Sequence, residues 1–259
     1  MVRKNAKIFL PSSILLFLIL LFIKPKLPSP SHIDNSILEK YPQQEKIEIP
    51  EIQTKYRDFT YQIDPLYSYE IYGLVVSEYT SHNWMDVTHK KDPANTRDLC
   101  LVWGDNIKTD AYRKVKYSHG EFTCYYSYNK AIEPPFNGQL LSNNHLIPEN
   151  EEVEKKIASI KVGDQVKIQG YLVNYKITDE NKNQSAYRNT SITREDTRNG
   201  ACEIIYVKDI EIIKRGNYAY YLLKDFLKFS IVIFLGYSIV KFFSSNINAS
   251  KKYIKTKRL

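Results

Sequence analysis

Two uncharged apolar runs flanked by lysines, residues 8–23 and 229–240, bracket everything else in this chain. A run of that kind must leave water, and where it goes decides the architecture between the two. The first covers 16 residues, about 24 Å as a helix at about 1.5 Å per residue. That is shorter than a hydrocarbon core of about 30 Å, but Lys7 and Lys24 can snorkel from its ends. A cleaved signal peptide is the competing reading. Lys24 and Lys26 follow the run directly with no small-residue cleavage site before them, so an uncleaved anchor is expected. The second run has 12 residues, a length that also suits a buried or surface-lying helix. Tyr218, Tyr220, Tyr221 and Phe226 precede it, and Lys251, Lys252, Lys255, Lys257 and Arg258 follow it. Aromatic residues at one border and positive charge at the other predict a span.

The expected organisation is therefore an N-terminal membrane anchor at 1–24, a proline-rich stalk at 25–66 and an extracytoplasmic β-rich domain at 67–215. A C-terminal membrane segment follows at 218–243, with a basic cytoplasmic tail at 244–259. The expected location is the inner (plasma) membrane, with both termini cytoplasmic and the main domain periplasmic or extracellular.

Charge supports that partition. The total is +8, yet residues 1–30 hold five basic side chains and no acid, and residues 221–259 hold eight basic and one acidic. Residues 31–220 are left with a net charge of −4. A phosphate-binding surface needs clustered positive charge on the folded part, so nucleic acid is excluded as a partner. The lipid bilayer is the expected partner, with other envelope proteins as further candidates.

Between the runs the pattern is that of strands. In 165–175, Val166, Ile168 and Leu172 alternate with Gln165, Lys167 and Gln169, the period of a half-buried strand. Apolar or aromatic pieces at 69–76, 99–103, 121–128, 202–207 and 209–213 read likewise, and 47–52 could pair as a strand. One helix is expected over 151–160. Asn150 stands as N-cap, Glu151, Glu152 and Glu154 fill the first turn, and Val153, Ile157 and Ile160 share one face. The expected fold class is mainly β with one amphipathic helix, a small barrel of the oligonucleotide/oligosaccharide-binding (OB-like) kind, flanked by two transmembrane helices.

Three cysteines, Cys100, Cys124 and Cys202, lie in expected strands. Cys100 and Cys124 are the better intramolecular pair; three buried thiols are the alternative. No pair has metal-site spacing. His82 and His89 bracket Trp84 and Asp86 without the geometry of a helical ligand pair, so no metal and no cofactor is expected.

Two polar stretches could carry chemistry. Residues 187–200 interleave Arg188, Arg194 and Arg198 with Ser191, Asp196 and other polar groups, and lead to Cys202 and Glu203. The arginines suit a carboxylate, phosphate or sulfate. A solvated loop turning at Asn199-Gly200 is the plain alternative. Residues 142–148 place His145 after Asn143 and Asn144, where it could serve as a general base or simply satisfy backbone groups. Asn144, His145, Arg188, Arg194 and Glu203 are the ligand-binding candidates. His145, Ser191 and Asp196 form the catalytic alternative, with Asp98 as another orienting acid.

The pieces Asp98-Leu99-Cys100-Leu101-Val102-Trp103-Gly104, Ser142-Asn143-Asn144-His145-Leu146, 163–172 and Arg188-Asn189-Thr190-Ser191 through Gly200-Ala201-Cys202-Glu203 together resemble an uncharacterised group of bacterial membrane-anchored periplasmic proteins. The resemblance spans roughly 67–213, implies a bacterial inner membrane with the domain in the periplasm, and brings no activity. The expected function is a membrane-tethered extracytoplasmic binding or assembly module of the cell envelope. The alternative is a membrane-bound hydrolase using His145 with the segment 191–203.

Overall fold

The computed structural model describes residues 15–20, 25–81, 89–181, 184–193 and 202–256. Among these, the strands are β1 Gln43–Lys46, β2 Ile52–Tyr56, β3 Phe59–Thr80, β4 Arg97–Val102, β5 Lys116–Gly120, β6 Thr123–Ser127, β7 Leu141–Pro148, β8 Gln165–Asp179, β9 Gln184–Arg188 and β10 Cys202–Lys214. The α-helices among the described segments that bear on the fold are α1 Asn35–Leu38, α2 Asp105–Lys108, α3 Glu151–Ala158 and α4 Tyr218–Thr256. The chain divides into two compact units: Lys26–Asn217, and Met1–Pro25 with Tyr218–Leu259.

The first unit is mainly β. Strands β3, β4, β7, β10 and β8 pair in that order, and β8 pairs back onto β3, so five strands form a closed circuit. All these pairings are antiparallel except β7 with β10. The alternation of β8 explains its place: Val166, Ile168 and Leu172 point into an apolar core with Leu99, Leu101 and Ile205 from β4 and β10. Gly170 lies where β10 shifts register. A Cβ there would stand 2.1 Å from the Tyr206 carbonyl oxygen, so only glycine permits the approach.

Helix α3 adds Val153 and Ile157 to the same core. The Asn150 side chain accepts the Val153 N–H at 3.0 Å, the N-cap bond the sequence suggests. Its other end is closed by a residue with no such signal. Arg97 is buried on β4, donates to the carbonyls of Ile157 and Ala158 at 3.2 and 2.7 Å, and pairs with Glu78 at 2.9 Å. A guanidinium at a helix C-terminus satisfies orphan carbonyls and opposes the helix dipole.

The stretch 25–66, expected to be a stalk, is built into this unit. It supplies β1, β2 and the start of β3, and it buries Leu38 completely. The Gln165 side chain accepts from the Asp34 N–H at 2.8 Å and donates to the His32 carbonyl at 2.7 Å. The prolines of this stretch are compatible with strands: Pro65 sits at the register shift between β3 and β8, a position that needs no ladder donor.

The two expected transmembrane helices are not seen. Among the described residues no helix is long and apolar enough to cross a membrane, which overturns the flanking spans and the inner-membrane placement with two spans. The physical reason is clearest in α4: the uncharged run 229–240 is closed in by Lys224, Asp225 and Lys228 on one side and Lys241 on the other. A 12-residue run covers about 18 Å as a helix. Of the first run, residues 15–20 are helical and the remainder lies outside the described residues.

Candidate active site

The outer face of β4, β7 and β10 carries a polar island between two apolar patches. Cys100, Val102 and Leu74 belong to one patch, and Ile147, Ile204 and Tyr206 to the other. Between them lie Asp98, Asn143, His145 and Cys202, brought together by register. Asp98 stands opposite His145, and Asn143 stands opposite both Cys100 and Cys202.

His145 and Asp98 are joined by a 2.7 Å contact between Nδ1 and Oδ1, with side-chain exposures of 6% and 0%. A proton on Nδ1 directed at a carboxylate fixes the tautomer and leaves Nε2 for the other side. Cys202 lies two residues before Ile204, the register partner of His145, and so shares its face of the sheet. Burial pushes the pKa of His145 down, but the charge and hydrogen bond of Asp98, aided by Cys202, outweigh it and raise the value to about 10. The Asp98 carboxylate thus favours the protonated ring.

Cys202 is the free cysteine and is partly exposed. Its Sγ lies 3.6 Å from Asn143 Nδ2 and 4.0 Å from the Phe122 carbonyl oxygen. Asn143 Nδ2 also donates to that carbonyl, at 3.0 Å. Phe122 sits in the two-residue turn between β5 and β6, where Gly120 faces Thr123. Its ring meets His145 edge-on at 5.3 Å, and the Arg188 guanidinium covers it at 3.9 Å. Arg188 is anchored by Asp92 at 3.2 Å, and Asp92 accepts from the hydroxyls of Tyr61 and Tyr175.

A disulfide joins Cys100 on β4 to Cys124 on β6 and ties this hairpin to the sheet. Closing a loop between cysteines 24 residues apart removes about 3 kcal/mol of unfolded-state entropy. His119, on β5, adds a second imidazole. Burial lowers its pKa first, and the charge of His145 does so too, against the pull of Asp98.

The sequence-derived candidates divide. His145 and Arg188 come together, with the Phe122 ring between them. Asn144 and Glu203 face one another on the opposite side of the sheet, buried in the core; Asn144 donates to the Leu99 carbonyl and the Ser142 hydroxyl. Ser191 is buried with its hydroxyl donating to the Thr193 carbonyl, and its N–H holds the Cys202 carbonyl at 2.9 Å. Arg194 and Asp196 lie outside the described residues, as do His82 and Trp84. Among the described residues no three His, Cys, Asp or Glu side chains gather as metal ligands.

Three participants escaped the sequence reading: Cys202 as partner of His145, Asn143, and Phe122. The available signal was period two within a buried strand. Asn143 and His145 alternate on one face of β7, where apolar residues are the rule. No family model, no curated protein and no solved structure matches the chain.

Proposed function

We propose that the first unit is a cysteine-dependent hydrolase acting on an acyl compound, with Cys202 as nucleophile, His145 as acid and base, Asp98 as the orienting carboxylate, and Asn143 as donor to the carbonyl oxygen. The observation that carries this reading is that Asp98, His145, Asn143 and Cys202 share one face of three neighbouring strands, with Asp98 and His145 in contact at 2.7 Å and Asn143 Nδ2 3.6 Å from the Cys202 sulfur. The thiolate is the attacking form of a cysteine nucleophile.

In the reaction the thiolate attacks the carbonyl carbon and a C–S bond forms. The bond to the leaving group breaks, and His145 gives that group its proton. Water then attacks the thioester, His145 takes a proton from it, the C–S bond breaks, and the carboxylic acid departs as the thiolate is restored. Asn143 stabilises the oxyanion in both halves, a role that for one donor is worth about 3 kcal/mol.

The test is hydrolysis of p-nitrophenyl acetate by the full chain and by C202S and H145Q. Loss of about three orders of magnitude in the C202S variant is expected. Turnover that survives in C202S would discard the assignment.

A binding or assembly module is the second reading, and α4 supports it. Phe226, Phe229, Val232 and Ile233 expose more than half of their surface on that helix, the kind of apolar face that partners cover. It is favoured if C202S and H145Q leave ester hydrolysis unchanged while the chain self-associates through α4.

A further inference from the structure

The β5–β6 turn stands where a substrate carbonyl belongs. The Phe122 carbonyl oxygen takes the Asn143 Nδ2 donor at 3.0 Å, the distance of an oxyanion contact. The Cys202 sulfur approaches that same oxygen, at 4.0 Å. Attack requires reacting atoms about 3–3.5 Å apart with the sulfur directed at carbon. The turn therefore fills the site and is not cleaved in this arrangement.

Its backbone is held against local preference. Phe122 has a φ of +55°, the left-handed region that a bulky aromatic rarely adopts and that costs about 1–2 kcal/mol. Cys124, two residues on, is tied to β4 by the disulfide, and the ring is gripped between His145 and Arg188. Nothing in a two-residue turn demands phenylalanine at such a position; glycine or asparagine would suit it better.

From this placement we infer that Phe122 is a built-in pseudo-substrate of Cys202, and that the true substrate is an ester, thioester or peptide carrying an aromatic side chain beside the carbonyl that is attacked. The inference rests on the Cys202 reading above. It adds the acyl-side specificity: the slot between the His145 imidazole and the Arg188 guanidinium, anchored by Asp92, accepts a flat ring.

The experiment uses the full chain, its F122G variant and C202S. Glycine relieves the left-handed backbone, so the fold persists, and F122N gives a second variant of the same kind. Two probes are read: the rate of Cys202 alkylation by iodoacetamide, and hydrolysis of N-acetyl-phenylalanine and N-acetyl-alanine p-nitrophenyl esters. Both variants should raise the alkylation rate about tenfold, as for a site that the native turn leaves open about a tenth of the time. They should raise kcat/KM for the phenylalanyl ester by a similar factor, with a preference of about tenfold or more over the alanyl ester. Unchanged alkylation and turnover in both variants, beside Cys202-dependent turnover in the wild type, would overturn the pseudo-substrate and leave the thiol site standing. Equal gains on both esters would overturn the aromatic slot. No C202S-sensitive turnover in any form would remove the thiol reading and the inference together.

Discussion

His119 and His145 feel the same carboxylate, Asp98, and their titrations are displaced in opposite directions. His145 is raised to about 10 in the fold, against about 6.5 when unfolded. Its contribution to stability is complete below about pH 6.5 and is lost as pH rises through about 10. His119 is lowered by burial, so its contribution is complete above about pH 6.5 and is lost as pH falls through its folded value. Together they predict a broad optimum of thermal stability near pH 6.5. The alkaline loss should be missing in H145Q and the acid-side histidine loss missing in H119Q. Melting curves from pH 5 to 10 check this, and an alkaline slope that persists in H145Q contradicts it. At this scale His145 was legible, because an imidazole among amides in a buried strand is conspicuous. Cys202 was not, since pairing with His145 depends on the parallel register of β7 and β10, which periodicity does not encode.

Helix α3 shows what local sequence can specify. Its start, its apolar face and its acidic first turn are all written within ten residues, and its N-cap bond is present. Asn150→Ala should therefore cost about 1 kcal/mol, read as a lower urea midpoint at unchanged m-value; a cost below about 0.3 kcal/mol would mean that packing of Val153 and Ile157 alone holds the helix. The C-terminal contact from Arg97 was invisible, because it comes from 60 residues away. The β5–β6 hairpin divides in the same manner. The aromatic strand around Cys124 and its pairing candidate Cys100 stood out in the sequence. The placement of Phe122 against β7 did not, because it follows from the sheet face that the hairpin covers. Strand β3 was half legible: 69–76 read as a strand, but 59–68 was hidden by Pro65 and by the polar residues around it.

At the scale of the whole molecule, the charge partition was sound arithmetic while the membrane reading built upon it was not, because two short runs and basic ends suggest spans that no described helix provides. The same emphasis on flanks displaced the domain boundary, which leads to the last prediction. A fragment of residues 26–217 holds the complete first unit. A fragment of 55–215, cut where the prolines suggest, loses more than a linker. It removes Leu38, which is fully buried and worth about 1.5–3 kcal/mol. It also strips Gln165, 1% exposed, of both partners, and leaving that buried amide unsatisfied costs about 1–3 kcal/mol more. Strand β1 leaves with them, opening the edge of β3 at Tyr67–Glu70. A combined loss of about 3–6 kcal/mol is a large part of the 5–15 kcal/mol that holds an ordinary domain. Urea unfolding followed by circular dichroism should give 26–217 a cooperative transition. The shorter fragment should unfold at a much lower midpoint or be unfolded without denaturant. Coincident midpoints would mean that the proline-rich stretch is only a spacer after all, and that its contacts with β8 contribute nothing to stability.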